Sequence, residues 1–314
     1  MFQLLKLRNL VPTLLILACS YIFINLSVEA STLSGPAAGV LAEDTLPTQP
    51  PLIQLAITNG SGNAELSWTD SLGAAEYQVH RSTNPFFTPN AGTLLTTVPA
   101  NTNSYVDTTS GVGNINTNHF YLLTATGGNS NHVGEMDYPI KNTTGAYSMI
   151  GVPFLAPSPA NASELANQLG NVSNIYRWNA SINSFQVFTP PDINDFPLTQ
   201  GEAIFVQVGS GAPASANIAG RVNVNALPLH AGNYSFITMP LQCDELTNAS
   251  ATAADIDEND VINLLQWNRN LQFFTTFTPP DIGDDFAITL GAPFIVQLSA
   301  SGSTSWPGAQ DVCK

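Results

Sequence analysis

Hydrophobic and polar residues alternate in short runs through the first half of the chain. In Ala64-Glu65-Leu66-Ser67-Trp68 every second residue is apolar, and Tyr77-Gln78-Val79-His80-Arg81 repeats the pattern. A period of two buries one face of a strand, and clusters such as Asn59-Gly60-Ser61-Gly62 turn the chain between strands. The pattern over residues 51–140 therefore predicts an antiparallel β-sandwich.

The second half of the chain contains one pattern twice. Phe188-Thr189-Pro190-Pro191-Asp192-Ile193 recurs as Phe277-Thr278-Pro279-Pro280-Asp281-Ile282. Trp178 and Trp267 lie ten residues before the two copies, and the spacing between equivalent residues stays between 87 and 90. Self-similarity at a fixed period indicates duplicated structural units. We therefore predict two copies of one small β-rich domain, over residues 141–228 and 229–314.

A short helix is predicted inside the first repeat. Asn161-Ala162-Ser163-Glu164 has the spacing of a capping box, in which Asn161 is the N-cap and Glu164 reaches back, and Gly170 is placed to end the helix. In the second repeat the acidic run 255–260 replaces part of this helix. The predicted fold class is all-β with at most short helices: a sandwich followed by two tandem β-rich domains.

Three features of the N-terminal module belong together: Leu66-Ser67-Trp68, then Tyr77, Val79 and Arg81, and a late aromatic strand that ends at Ala125. Through them the module resembles a fibronectin type III domain of the bacterial extracellular type, and the resemblance covers residues 51–140. It implies the β-sandwich that the alternation predicts.

One position departs from the fibronectin type III pattern. The family has a tyrosine six residues before the alanine, and its hydroxyl bonds a loop backbone, but His119 occupies this position. Either His119 takes the role through its ring N–H, or Tyr121 takes it in a shifted register. The tandem pair resembles β-rich domains that follow such modules in bacterial secreted proteins, and that resemblance implies no activity.

Residues 1–30 have the features of a signal peptide. Lys6 and Arg8 precede an apolar stretch over residues 10–24, and Val28-Glu29-Ala30 has small residues at the positions expected before a cleavage site. We expect export, with the mature chain beginning at Ser31; an uncleaved anchor and a lipoprotein attached through Cys19 are the alternatives. Residues 31–50, rich in proline and small residues, are predicted to be a linker.

Sparse charge limits the classes of partner. Charged residues make up 10% of the chain, and the formal net charge is −15. Nucleic-acid binding depends on Lys and Arg that neutralise phosphates, and the few basic residues here form no cluster. We therefore exclude nucleic acid and anionic membrane surfaces as partners, apart from an N-terminal anchor. The expected partner is an extracellular protein or a glycan.

The aromatic residues that occur in both repeats have two interpretations. Trp178, Trp267, Phe188 and Phe277 could form a platform on which sugar rings stack. A residue retained in both copies is more simply explained as part of each repeat's core. Solvent exposure of the side chains distinguishes the two interpretations.

An acidic run and two cysteines are further candidate sites. Asp255, Asp257 and Asn259 alternate as calcium ligands do, but no glycine stands at the sixth position and no glutamate closes the loop, so weak calcium binding competes with a solvated helix end. No other cofactor is predicted. Cys243 and Cys313 would form a disulfide in an exported protein, and the alternative is two free buried thiols.

Catalytic motifs are absent from the sequence. It contains no Gly-x-Ser-x-Gly, no His-Glu-x-x-His and no phosphate-binding loop, and its four histidines are scattered. We predict an exported, non-enzymatic modular protein with a scaffold or binding role outside the cell or in the cell envelope. The alternatives are a carbohydrate-binding protein that uses the repeated aromatic residues, and a secreted hydrolase with carboxylates from loops.

Overall fold

The computed structural model describes residues 51–58, 63–70, 73–109, 114–125, 128–191, 193–223 and 225–306. The predicted signal peptide and linker lie outside the described residues, as do Asp192 and Cys313. The described residues contain 21 strands and two helices of eight residues each. The prediction of an all-β chain with short helices is confirmed.

The N-terminal module is a sandwich of two sheets. Its strands are β1 (Ile53–Thr58), β2 (Asn63–Trp68), β3 (Glu76–Ser82), β4 (Leu94–Pro99), β5 (Ser104–Asp107), β6 (His119–Ala125), β7 (Gly128–Asn129) and β8 (Val133–Pro139). One sheet has the order β1-β2-β5, and β8-β6-β3-β4 are neighbours in the other, with β7 paired to β6. The arrangement is the antiparallel β-sandwich that the alternation predicts.

Alternate residues fill the sandwich core. Ala64, Leu66 and Trp68 of β2 are buried in one cluster with Tyr77 and Val79 of β3. The rings of Trp68 and Tyr77 lie 5.6 Å apart between centroids. Polar residues between them point outward, so the period of two in the sequence maps directly onto the two faces of the strands.

Strand β6 is buried on both faces. Tyr121 and Leu123 belong to the sandwich core, whereas Phe120 and Leu122 belong to a second core formed with the first repeat. The sheet that contains β6 is therefore a middle layer, with the β1-β2-β5 sheet on one side and the first repeat on the other.

The first repeat consists of a four-stranded sheet, a helix and two further strands. Its elements are β9 (Tyr147–Gly151), β10 (Leu155–Ser158), α1 (Ala162–Leu169), β11 (Val172–Asn179), β12 (Ser184–Phe188), β13 (Ala203–Val208) and β14 (Ser215–Arg221). The four-stranded sheet has the order β12-β11-β13-β9.

Helix α1 begins and ends as the sequence predicts. The Asn161 side chain accepts a hydrogen bond from the Glu164 amide at 2.8 Å, and the Glu164 carboxylate accepts one from the Ala160 amide at 2.8 Å. Gly170 ends the helix with a φ of 72°, a conformation that favours glycine. The predicted capping residues of this helix are confirmed.

Strand β14 joins the first repeat to the N-terminal module. It pairs antiparallel with β8 from Ser215 opposite Pro139 to Arg221 opposite Val133, and β10 pairs with its other edge. The N-terminal module and the first repeat thus share one continuous sheet, and the backbone ladder spans the predicted boundary at residue 140.

The second repeat has a similar order of elements. Its elements are β16 (Tyr234–Thr238), α2 (Ala249–Ile256), β17 (Val261–Asn268), β18 (Phe273–Thr278), β19 (Ile282–Gly283), β20 (Pro293–Leu298) and β21 (Ser305–Trp306), and β15 (Leu227–Pro228) lies just before it and pairs with β21. In its sheet, β16-β20-β17-β18 match β9-β13-β11-β12 strand for strand, and β19 is an additional edge strand. Trp178 lies opposite Phe185 and Trp267 opposite Phe274, so the register is also the same. Helix α2 is as long as α1, with Asn248 as its N-cap.

The hydroxyl of Tyr121 bonds a side-chain carboxylate. It donates to Asp107 Oδ2 at 3.0 Å, and the same oxygen accepts from Arg81 at 2.6 Å. Asp107 is fully buried and its other oxygen accepts from the Thr109 amide, so the carboxylate links β6 to the loop after β5. Burial alone raises the pKa of Asp107, but the hydrogen bonds from Thr109, Arg81 and Tyr121 outweigh it and leave the pKa below its ordinary value. His119 instead contacts Glu135.

Tyr121→Phe is expected to lower the free energy of unfolding by about 1–3 kcal/mol, because a buried ionised acceptor loses a hydrogen bond. Urea unfolding at neutral pH measures the loss. Tyr77→Phe is the matched control: it removes a hydroxyl from the same core, but that hydroxyl donates to the exposed Asp70 at 3.3 Å. Equal losses in the two variants would contradict a special role for Asp107.

Candidate functional site

The two repeats pack on each other through one face of each sheet. Met149, Ala203 and Phe205 of the first repeat form a buried cluster with Ile295 of the second. Partly buried residues surround this cluster: Tyr147, Tyr176, Tyr234, Phe236, Leu265 and Trp267. The interface is therefore built largely from aromatic side chains.

The repeated tryptophans make reciprocal hydrogen bonds across this interface. Trp178 Nε1 donates to the carbonyl of Tyr234 at 2.9 Å, and Trp267 Nε1 donates to the carbonyl of Tyr147 at 3.0 Å. Trp178 is equivalent to Trp267 by register, and Tyr147 to Tyr234. Each tryptophan therefore donates to the edge strand, β9 or β16, of the other repeat's sheet, and both side chains take part in the contact between the repeats.

Ring contacts are similar but not identical around the two tryptophans. Trp178 stacks on Phe236 at 5.3 Å between centroids and 25° between planes, whereas Trp267 meets Phe205 edge to face at 5.3 Å and 86°. Phe185 lies 5.0 Å from Trp178 and Phe274 lies 4.9 Å from Trp267. Phe185 and Phe274 are partly exposed, so the rim of the aromatic cluster is open to solvent.

The two repeated phenylalanines of the predicted platform are core residues. Phe188 is buried in the core of the first repeat and Phe277 in the core of the second. A ligand in solution does not reach either ring, so the exposed part of the predicted sugar platform is reduced to the neighbourhood of Trp178 and Trp267.

A small pocket, here called pocket one, opens beside Trp178 at the junction of the repeats. Its volume is about 150 Å³. The first repeat contributes Arg177, Trp178 and Glu202 to its lining, and the second contributes His230 and Phe236. Arg177 Nε and Glu202 Oε2 form an ion pair at 2.8 Å, so charged and aromatic side chains meet in one concave site.

Glu202 is held in place by the backbone as well as by Arg177. Its second carboxylate oxygen accepts a hydrogen bond from the Thr199 amide at 2.6 Å. Burial raises the pKa of Glu202 to about 6, although the charge of Arg177 and the Thr199 hydrogen bond act in the opposite direction. The carboxylate is therefore ionised at neutral pH and protonates in mildly acidic solution.

The second repeat has an equivalent pocket, here called pocket two, with different chemistry. It is lined by Trp267 and Gln266, with Met149, Ala292 and Pro293, and its volume is about 290 Å³. By strand register, Gln266 stands where the first repeat has Arg177 and Ala292 where it has Glu202. The same backbone frame therefore holds an ion pair in pocket one, whereas the described lining of pocket two contains the cation Arg269 and no carboxylate.

A buried polar cluster lies on β6, β8 and β14. Glu135 Oε1 contacts the His119 ring at 2.9 Å, and Glu135 Oε2 accepts from Asn217 Nδ2 at 2.9 Å. The same Asn217 group donates to Asp137 Oδ1 at 3.2 Å. Asp137 Oδ2 is buried and has no hydrogen-bond partner within the described residues.

This cluster perturbs the pKa of one carboxyl. Burial, followed by the nearby charge of Glu135, raises the pKa of Asp137 to about 7, while the Asn217 hydrogen bond opposes the rise. A carboxyl whose pKa is raised beside a second carboxyl is a feature of acid–base sites. Here Glu135 is fully buried and Asp137 almost so. Their carboxylate oxygens contact His119 and Asn217 inside the protein, so they are not placed to face a substrate.

The acidic run of the second repeat makes internal hydrogen bonds. Asp255 Oδ2 accepts from Trp306 Nε1 at 2.7 Å, and Asp257 Oδ1 accepts from the Asn259 amide at 3.0 Å. Among the described residues, no group of three or more His, Cys, Asp or Glu side chains is placed to hold a metal ion. Weak calcium binding by Asp255, Asp257 and Asn259 stays a prediction.

Cys243 is fully buried in the core of the second repeat, and its sulfur is in a disulfide. Cys313 lies outside the described residues, so its pairing with Cys243 stays a prediction.

Over the part of the chain that the structure describes, neither helix is long or apolar enough to cross a membrane.

The predicted site residues did not include the ion pair of pocket one or the polar cluster of β8. Arg177 and Glu202 are far apart in sequence, and neither belongs to a known motif. A signal was nevertheless present, because alignment of the repeats places Gln266 and Ala292 at these positions. Glu135 and Asp137 gave no such signal, because charged residues alternating with apolar ones are typical of a strand exposed on one face.

No protein-family model matches the chain, and no curated protein matches it. A solved fibronectin type III-like protein from Clostridium thermocellum is 24% identical over 28% of this chain and 90% of its own, with a TM-score of 0.22. Pectate lyase PelI from Erwinia chrysanthemi is 22% identical over 27% of each chain, with a TM-score of 0.21.

The FN1–FN3 domains of chicken CNTN1 are 8% identical over 81% of this chain and 95% of their own, with a TM-score of 0.19. Similarities at these TM-scores carry no argument about function. The chain's own architecture is an antiparallel β-sandwich that shares a sheet with the first of two β-rich units.

Proposed function

We propose that the chain is an exported, non-enzymatic protein with a scaffold or binding role outside the cell or in its envelope. The observation that carries the proposal is the use of the repeated aromatic residues. They close the two repeats on each other, while the β8–β14 ladder joins the first repeat to the sandwich. Extended contacts of this kind hold the units in a fixed arrangement. They suit a rigid surface that presents a binding site better than a cleft that must open and close.

The hydrolase alternative has less support. A glycosidase needs two carboxyls on opposite sides of an open substrate site. Glu135 and Asp137 are neighbours but are enclosed between three strands, and Glu202 in pocket one is paired with Arg177.

The features of residues 1–30 support export, since basic residues, an apolar stretch and small residues before Ser31 follow each other in the order of a signal peptide.

Two measurements test this function. The exported chain, incubated with a panel of chromogenic glycosides, esters and polysaccharides, is expected to give no turnover above buffer. Turnover that disappears in Glu202→Gln would contradict a non-enzymatic role.

Cell fractionation with N-terminal sequencing is expected to find the chain outside the cytoplasm with Ser31 as its first residue, and a cytoplasmic chain that retains Met1 would contradict export.

A further inference from the structure

We propose that pocket one binds a single neutral sugar residue of a glycan. The inference rests on the proposed binding role and names its ligand class. It is carried by three features of the pocket: its size, its combination of hydrogen-bonding groups with an aromatic wall, and its difference from pocket two.

The size of pocket one fits one sugar ring. Sites for drug-sized ligands have volumes of about 300–1,000 Å³. A volume of about 150 Å³ is too small for such a molecule or for a folded peptide segment, but it accommodates one six-membered ring with its substituents.

The polar groups of pocket one match hydroxyls better than ions. Arg177 supplies N–H donors and Glu202 supplies acceptor oxygens 2.8 Å away, so the two charges balance locally. The terminal nitrogens of Arg177 make long hydrogen bonds, 3.4 Å to the Pro197 carbonyl and 3.4 Å to Thr199 Oγ1, and the guanidinium lies over the Phe196 ring. Long bonds of this kind are easily exchanged for shorter ones to a hydroxyl. A sugar hydroxyl can donate to Glu202 and accept from Arg177. The charge of Glu202 would repel an anionic ligand, and the charge of Arg177 would repel a cationic one.

One part of the wall of pocket one is apolar and is formed by Trp178, Phe236 and Ile237. Polar side chains, among them Gln200 and His230, line the rest together with the ion pair. A sugar ring carries hydroxyls around its rim and C–H groups on its faces, so it places apolar surface against such a wall while its hydroxyls reach the ion pair. Aromatic residues with a few convergent polar groups are the usual composition of a small-molecule site.

Comparison with pocket two indicates that folding does not need the ion pair. Gln266 and Ala292 occupy the equivalent positions, and the second repeat has the four corresponding sheet strands, the same register and the same tryptophan hydrogen bond. A buried charge pair adds little to stability when uncharged residues pack equally well. Arg177 and Glu202 are therefore best explained by a ligand that only pocket one receives.

The test uses a double variant that gives pocket one the residues of pocket two. The full chain is titrated with the methyl pyranosides of glucose, galactose, mannose and N-acetylglucosamine, and the indole N–H signal of Trp178 is followed by NMR. At least one glycoside is expected to shift this signal saturably at about millimolar concentration. Arg177→Gln combined with Glu202→Ala is expected to weaken that binding ten-fold or more.

Two controls make the titration specific. The indole N–H of Trp267 reports on pocket two and is expected to shift little, and Gln266→Ala is expected to leave binding unchanged. His230→Ala, at an exposed position of pocket one, provides a second variant that does not disturb the ion pair, and we expect weaker binding in it too.

The inference is overturned by the absence of a saturable shift with all four glycosides. It is equally overturned by unchanged binding in both pocket-one variants, or by equal shifts of the two tryptophans. These failures are separate from failure of the proposed function, since export and absence of turnover are measured independently of sugar binding.

Discussion

Phe205→Ala is expected to lower the free energy of unfolding by about 3–5 kcal/mol, the range for removing a buried phenylalanine ring. Phe205 is buried at the centre of the contact between repeats. Its ring contacts those of Tyr147, Phe236, Trp267 and Phe274 at 5.3–6.3 Å between centroids. The substitution therefore weakens both sides of the interface together.

The loss is expected to change the cooperativity of unfolding as well as the stability. The second repeat has its own core, separate from the cluster at the interface. When the interface weakens, the repeats should separate at a lower urea concentration than that at which their cores unfold. Tryptophan fluorescence, to which Trp178 and Trp267 contribute from the interface, should then change before the far-UV circular dichroism.

Phe273→Ala is the matched control for this experiment. Phe273 is adjacent to the interface residue Phe274 but is about half exposed, at 52%. Its removal should change the free energy of unfolding by no more than about 0.5 kcal/mol, as is usual for surface positions. If Phe205→Ala and Phe273→Ala had equal effects, the aromatic cluster would not be what holds the repeats together.

Local sequence patterns predicted local structure well. The alternating residues around Trp68 and Tyr77 form two strands of the sandwich core, and the predicted capping residues Asn161 and Gly170 lie at the two ends of α1. These features depend on periods of two residues or on neighbours within one turn, which are written in a few consecutive residues.

Pairing between distant strands could not be read in the same way. Strand β14 pairs with β8 about 80 residues away, as in Asn217 opposite Asp137, and no short pattern records such a partner. The burial of the charged residues of β8 could not be predicted either. Glu135 and Asp137 indicate a solvent-exposed face, but His119 and Asn217 from adjacent strands satisfy part of their hydrogen bonding and allow them to be buried.

The candidate site was only partly predictable for a related reason. Trp178 and Trp267 were identified because duplication marks them, yet duplication alone does not distinguish a core, an interface or a ligand platform. The structure separates them from Phe188 and Phe277, which are buried within single repeats. No local pattern marks Arg177, because its significance depends on its partner Glu202, 25 residues later.

Asp137→Asn is expected to stabilise the protein at alkaline pH by as much as about 4 kcal/mol. The pKa of Asp137 is raised to about 7 by burial and by the charge of Glu135. In the unfolded chain the pKa returns to its ordinary value of about 3.9. Between these two values the folded state holds one proton more than the unfolded state, so stability falls as the pH rises, at about 1.4 kcal/mol per pH unit.

The sign of this effect follows from the surroundings of the carboxyl. The groups that act on Asp137 are Glu135 on its own strand, His119 on β6 and Asn217 on β14. Among the described residues, the Asn217 amide alone donates a hydrogen bond to Asp137, at 3.2 Å, so the ionised form of Asp137 is poorly compensated. An asparagine mimics the neutral acid and removes the cost of ionisation.

Urea unfolding of wild type and Asp137→Asn across pH 4 to 9 measures the effect. The difference in free energy should be small near pH 4, grow steadily to about pH 7 and then remain constant, since the raised pKa of Glu202 and the lowered pKa of Asp107 act equally in both proteins and cancel. Glu76→Gln, at an exposed carboxyl of β3, controls for the loss of one negative charge. A difference of the same size at pH 5 and pH 9 would mean that Asp137 is already ionised in acidic solution, and that the buried cluster does not hold a proton at the junction of the sandwich and the first repeat.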